Sequence, residues 1–332
     1  MSVGLSLAIA FAAYLTLRSL LPAGTDPIQP KDLTQFSLVI AAGIGGVVAL
    51  VVAYRRQQGI ELGRFIERFG AAAGQLGHPD VAVRLAGVYA MAGVADDTLG
   101  HERQQCIDVL CGYLRLAYFS ATGENHESEL VHKVPARGGE VLEHRYQYRL
   151  NDKEVRQTVL RIITAHLQLE ARESWSACDF DFTGVYFEDA DFFHAIFRGG
   201  TTSFARASLA GKESSFENTT FDSGFTDFSD ATFTAQRTSF MLANFRNIVA
   251  FDRATFGGKE TLFNLTTFSG TSFSFRAVNF GKGTVSFVPL HWTPAPKFDW
   301  DEELSEAERR PKPDNVAFRD RGDGARSVRS DN

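Results

Sequence analysis

Between Cys178 and Phe287 the large apolar residues keep time. Phe204, Phe216, Phe228 and Phe240 recur every 12 residues, as do Phe263, Phe275 and Phe287. Phe251 comes one residue early, which places a single deletion between Phe245 and Phe251. A second series, Phe197, Leu209, Phe221, Phe233, Phe245, Phe256, Phe268 and Phe280, interleaves with the first, so the step alternates between 7 and 5 residues. Before Phe197 only the short step occurs, through Phe182, Phe187 and Phe192. A fixed period of this kind predicts a solenoid, in which each unit buries its apolar face against the next. Two residues before most rings stands a small or β-branched residue, such as Ala207, Thr219, Ala231 and Ala243, or Thr202, Ser214, Thr226 and Thr238. Residues i and i−2 share a strand face, so each short strand points one large and one small side chain inward. Polar runs such as Gly199-Gly200-Thr201 and Gly281-Lys282-Gly283 supply the corners. Coils stacked about 4.8 Å apart would pile equivalent rings on one another. Burial of each ring is worth roughly 1.5–3 kcal/mol, enough to order the domain with no metal or disulfide.

The N-terminal pattern is different. Val3–Leu21 is mostly apolar, and Phe36–Tyr54 carries no charge over a length able to span a bilayer. The Ala42-Gly43 and Gly45-Gly46 cluster suits close helix packing in lipid. Arg55, Arg56, Arg64 and Arg68 follow, which by the positive-inside rule puts this side in the cytoplasm. From about Glu61 to Ala171 the period turns helical: Asp80 is a candidate cap, and Cys106, Val109, Leu110, Tyr113, Leu114 and Ala117 make one buried face. Asn151 with Glu154 reads as a capping-box start for a helix from Asp152 to Gln168, placed to cover the exposed edge of the first coil. Ser120–Leu150 is polar and expected to be a loop; 294–332 is charged, contains proline and is expected to be mostly disordered, with room for a short helix from Glu302 to Arg310.

The segments Ala190-Asp191-Phe192, Ala207-Ser208-Leu209, Ala231-Thr232-Phe233 and Ala243-Asn244-Phe245 resemble the pentapeptide-repeat family. That resemblance implies a right-handed, four-sided β-helix. The seven-residue step departs from the family's five and reads as a bulged corner, leaving a coil of 24 residues or a flattened coil of 12. Arg84-Leu85-Ala86-Gly87-Val88-Tyr89-Ala90-Met91, Arg103-Gln104-Gln105-Cys106, Cys111-Gly112-Tyr113-Leu114-Arg115-Leu116, Ser174-Trp175 and Asp179-Phe180-Asp181-Phe182-Thr183-Gly184 resemble an actinobacterial group of membrane-anchored pentapeptide-repeat proteins. The expected architecture is mixed: a membrane anchor at 1–55 with transmembrane helices about 3–21 and 36–54, a HEAT-like helical capping domain at 56–172, a right-handed quadrilateral β-helix at 173–290, and a tail at 291–332.

Charge and chemistry narrow the function. The net charge is −6 with signs mixed, and 175–290 holds 12 acidic and 9 basic residues, too balanced for a DNA mimic that would occupy a topoisomerase. Cys106, Cys111 and Cys178 form no metal-binding spacing. His126, Glu129 and His132 approach a metal-ligand spacing but match no zinc pattern; Asp181, Glu188, Asp189 and Asp191 lack the glycines of a calcium-binding roll and, with His194, read as outward side chains. No catalytic residue, cofactor or metal site is assigned, and no nucleic-acid partner is expected. The sequence predicts a non-enzymatic scaffold at the cell's inner (plasma) membrane, anchored in the lipid bilayer, with its β-helix facing a protein partner on the cytoplasmic side. A sensor or enzyme built on the helical domain and its histidine loop is the alternative, and a DNA-mimic topoisomerase modulator ranks below it.

Overall fold

The computed structural model describes residues 11, 15–16, 19, 30–118, 129–135, 141–147, 149, 151–301, 304–306 and 309–318. The chain divides into two compact units, 1–67 and 68–332. Helix α1, Pro30–Leu76, runs unbroken through that boundary. Among the described residues no helix is long and apolar enough to cross a membrane. The expected span 3–21 lies outside the described residues apart from Phe11, Leu15, Thr16 and Ser19. The expected span 36–54 falls within α1, where the side chains from Ala42 to Arg64 are exposed.

In the second unit, α2 (Val81–Asp96), α3 (Gly100–Arg115) and α4 (Asp152–His166) form the small helical region. Asp80 caps α2 as its position predicts, Oδ1 accepting from the Ala82 amide at 2.7 Å. Gly87 lies where α2 meets the end of α1, and a β-carbon there would sit 2.7 Å from the Leu76 nitrogen. Cys106, Leu110, Tyr113 and Leu114 on α3 and Val155, Val159 and Ile163 on α4 are all buried, and the two helices are in contact. The capping box expected at Asn151 does not form. Asn151 instead turns left-handed (φ 51°) and its carbonyl takes the Glu154 amide at 3.2 Å. Within 120–150, expected to be loop, the chain folds a hairpin of β1 (Glu129–Pro135) and β2 (Val141–Gln147).

A β-solenoid of about five turns follows. Each coil feeds four parallel ladders. One runs Phe180, Thr202, Thr226, Val249, Phe273. The next runs Phe187, Leu209, Phe233, Phe256. A third runs Ser214, Thr238, Thr261, Val285, Val316. The last runs Phe197, Phe221, Phe245, Phe268, Trp292. Thr226 pairs with Thr202, 24 positions earlier, so the longer of the two coil geometries is the one adopted. The deletion before Phe251 is absorbed at a corner, where Asn247 turns left-handed (φ 60°) and donates its side-chain amide to the Ser223 carbonyl at 3.0 Å.

Inside, the rings form a herringbone. Phe204, Phe228, Phe251 and Phe275 stack nearly parallel at 4.6–4.9 Å, and Phe216, Phe240, Phe263 and Phe287 do the same at 4.7–4.8 Å. Between columns the rings meet edge to face, as Phe228 and Phe240 do at 88°. Both geometries are favourable for aromatic quadrupoles, each pair adding about 0.5–1.5 kcal/mol beyond burial. The solenoid does not stop at 290, and the segment expected to be disordered contributes to it. Lys297–Phe298 and Val316–Phe318 add strands, Phe298 stacks on Phe275, Trp300 on Phe298, and Phe318 on Phe287. Residues 304–306 and 309–310 carry no helix.

Candidate functional site

The first coil is closed by the helices, and its polar groups are spoken for. Gln104 on α3 forms a two-way amide clasp with Asp179, 2.8 Å in each direction, and Arg115 pairs with Asp181 at 2.6 Å. Arg156 on α4 is buried and donates to the Leu114 carbonyl at 2.5 Å and the Tyr186 carbonyl at 3.0 Å, tying the end of α3 to the solenoid. Burial pulls its pKa below the ordinary guanidinium value, with Asp152 acting in the opposite direction. Tyr113 donates to Asp152 at 2.5 Å, and burial, reinforced by that carboxylate, pushes its phenol up to about 12. Trp175 donates to Asp96 at 2.9 Å while its indole stacks on His166 at 3.9 Å.

Beside this junction Leu114, Tyr118, Lys153, Arg156, Tyr186 and Glu188 line a cleft of about 20 Å³, room for one water-sized molecule and far below the few hundred Å³ of a cofactor pocket. Lys153 and Glu188 pair across it at 2.7 Å. Its groups hold the cap on the coil rather than converge on empty space.

The acidic patch read from the sequence is likewise structural. Asp181 and Glu188 hold cations of the cap, Asp189 accepts the Lys212 amide, and Asp191 accepts the Phe193 amide at 3.0 Å. His194 is a corner residue with φ 57°. His126 lies outside the described residues. Glu129 and His132 belong to β1, three positions apart and so on opposite faces, and Glu129 pairs with Arg145 at 3.6 Å. Among the described residues no group of three or more His, Cys, Asp or Glu side chains is placed to hold a metal ion.

Along the solenoid, charge sits in self-neutralising columns. Arg237 lies among Glu213, Glu217 and Glu260 at 3.5–3.6 Å, and Arg253 forks onto Asp230 at 2.8 and 2.7 Å, holding that carboxyl below its usual range.

One corner stands apart. Residues two past Phe192, Phe216, Phe240 and Phe263 stack there in successive coils: His194, Asn218, Leu242 and Leu265. All four are left-handed, φ 55–58°. Asn tolerates that conformation because its amide can bond locally; for leucine the β-carbon crowds the following carbonyl at a cost of about 1–2 kcal/mol. Met241 precedes Leu242, Val288 pairs with Asn264, the residue before Leu265, and Leu290 lies two residues beyond Val288. Leu242 is 41 % and Leu290 47 % exposed. At this left-handed position leucine therefore replaces polar residues along the axis, while the position before it runs Phe193, Glu217, Met241, Asn264 and Val288. The sequence carried the signal: at this phase of the repeat, polar His194 and Asn218 give way to leucine, a break set at an outward position that the inward period does not report.

No protein-family model, curated protein or solved structure matches this chain.

Proposed function

We propose that the chain is a non-enzymatic interaction module whose solenoid docks a protein partner along the corner formed by Met241, Leu242, Leu265 and Val288. The carrying observation is the pair of left-handed leucines. Strain and solvent exposure together disfavour leucine at Leu242, so the side chain serves something other than the fold. Four ladders per coil, with one large and one small residue turned inward on each strand, support kinship with pentapeptide-repeat β-helices.

The same proposal places the module at a membrane. Its support is the charge-free run 36–54 inside the single helix α1, with exposed Val47, Val48, Leu50, Val51 and Val52 and with Arg55 and Arg56 directly after. That charge order puts the solenoid on the cytoplasmic side of the cell's inner membrane.

The test is photo-crosslinking in intact cells from residue 265, with Leu242→Asn as the comparison. A discrete protein adduct that vanishes in Leu242→Asn supports the reading; an adduct indifferent to that change removes it. Alkaline carbonate extraction of the full chain, and of one lacking 36–54, tests the tether separately. Release of the full chain into the supernatant would refute the anchor while leaving the docking corner standing.

A further inference from the structure

The hairpin β1–β2 is paired only with itself, and every described side chain in it is exposed. A lone two-stranded hairpin is marginal in water, so its cross-strand pairs decide whether it holds. Register sorts those pairs cleanly. On one face Lys133 meets Glu143 at 3.1 Å, and Arg145 meets Glu143 at 3.2 Å and Glu129 at 3.6 Å. On the other, His132 stands directly opposite His144, with Tyr146 on one side and Val134 and Leu142 on the other.

We propose that His132 and His144 form a two-imidazole chelate for a borderline divalent transition metal such as Ni²⁺, Cu²⁺ or Zn²⁺, and that the metal fastens the hairpin. Opposite residues of an antiparallel pair have β-carbons about 4.5–5.5 Å apart. Metal–imidazole bonds are about 2.0–2.1 Å, so two rings leaning toward a shared ion meet it within that span. Nitrogen donors suit these metals over calcium or magnesium. Among the described residues of the hairpin the carboxylates, Glu129 and Glu143, are engaged with cations on the opposite face, so the described donors on this face are the two imidazoles. Two protein ligands leave the remaining positions to water, which makes the site exchangeable rather than a closed structural centre. Because the ion binds only when the strands are in register, binding and hairpin order are linked.

The experiment is calorimetric titration of the full chain with Ni²⁺ alone, alongside hydrogen exchange of the amides between 129 and 147. We expect one Ni²⁺ per chain, slower exchange in both strands on binding, and at least tenfold weaker affinity in either His132→Ala or His144→Ala. His291→Ala, an exposed histidine elsewhere, keeps wild-type binding. Neither hairpin substitution touches a packed core, so solenoid circular dichroism stays unchanged. Binding equal to wild type in both single variants, a loss in His291→Ala as large as theirs, or one Ni²⁺ per two chains would each overturn the chelate.

Discussion

Phe228 lies 4.6 Å from Phe251 with their ring planes 4° apart, and each of the two is met edge-on by Phe240. One ring is thus shared between two coils of its own column and a neighbouring column. Removing it deletes stacking and edge contacts at once and leaves a void that rigid strands on every side cannot close. Phe228→Ala should cost about 3–5 kcal/mol, at the upper end for a core aromatic, and Phe228→Leu clearly less. Equilibrium urea unfolding of the two variants measures this; equal midpoints would show that the column is not what orders the solenoid.

The small inward positions make the opposite prediction. Thr238 is buried between Ser214 and Thr261 in its ladder, and its hydroxyl has no hydrogen-bond partner among the described residues. A buried hydroxyl without a partner costs about 1–3 kcal/mol, and valine keeps the shape without the polar atom. Thr238→Val should therefore raise stability by about 1 kcal/mol, read as a higher unfolding midpoint with an unchanged denaturant slope. A lower midpoint would mean that a bound water satisfies the hydroxyl.

Leu242 separates stability from function. Asparagine occupies the equivalent corner one coil earlier, at Asn218, in the same left-handed conformation. Leu242→Asn should stabilise the solenoid by roughly 0.5–1 kcal/mol while abolishing partner capture. A substitution that strengthens the fold and removes binding has no explanation in packing alone. Thermal unfolding scored beside crosslinking yields both numbers from one variant, and destabilisation would withdraw the argument from strain.

The periodic part of this molecule was legible because a repeat states each physical requirement many times. Changes at intervening positions do not hide an inward phenylalanine that returns at Phe204, Phe228 and Phe251, and even the one-residue deletion was located, at the corner where Asn247 now turns. What happens once was harder to see. The strands at Lys297–Phe298 and Val316–Phe318 are short and embedded in charged sequence, so only the Phe275 and Phe287 rings awaiting cover select them. The hairpin was harder to read because its apolar and charged faces alternate through polar residues, and its register depends on a partner strand six to eighteen positions away. The corner leucines were in plain sight, yet their meaning needs a φ angle that no composition reports.

Tyr113 gives the junction a pH signature. Its phenol, raised by burial and by Asp152 to about 12, stays protonated in the folded protein through a range where an unfolded chain, with an ordinary value near 10, already ionises. The unfolded state therefore binds fewer protons than the folded state above pH ~10, and stability falls with rising pH across that window. Below pH ~10 the contribution is fully present; by pH ~12 it is gone. Tyr113→Phe removes this titration, so its unfolding free energy should decline less steeply than wild type between pH 9.5 and 11.5, whatever its offset at neutral pH. Cys106 and Cys111, whose thiols burial raises to about 11 and about 12, add the same sign of slope and remain in the variant, so the difference between the two curves isolates the tyrosine. Parallel curves would show that the Tyr113–Asp152 contact is not maintained when the cap closes the first coil.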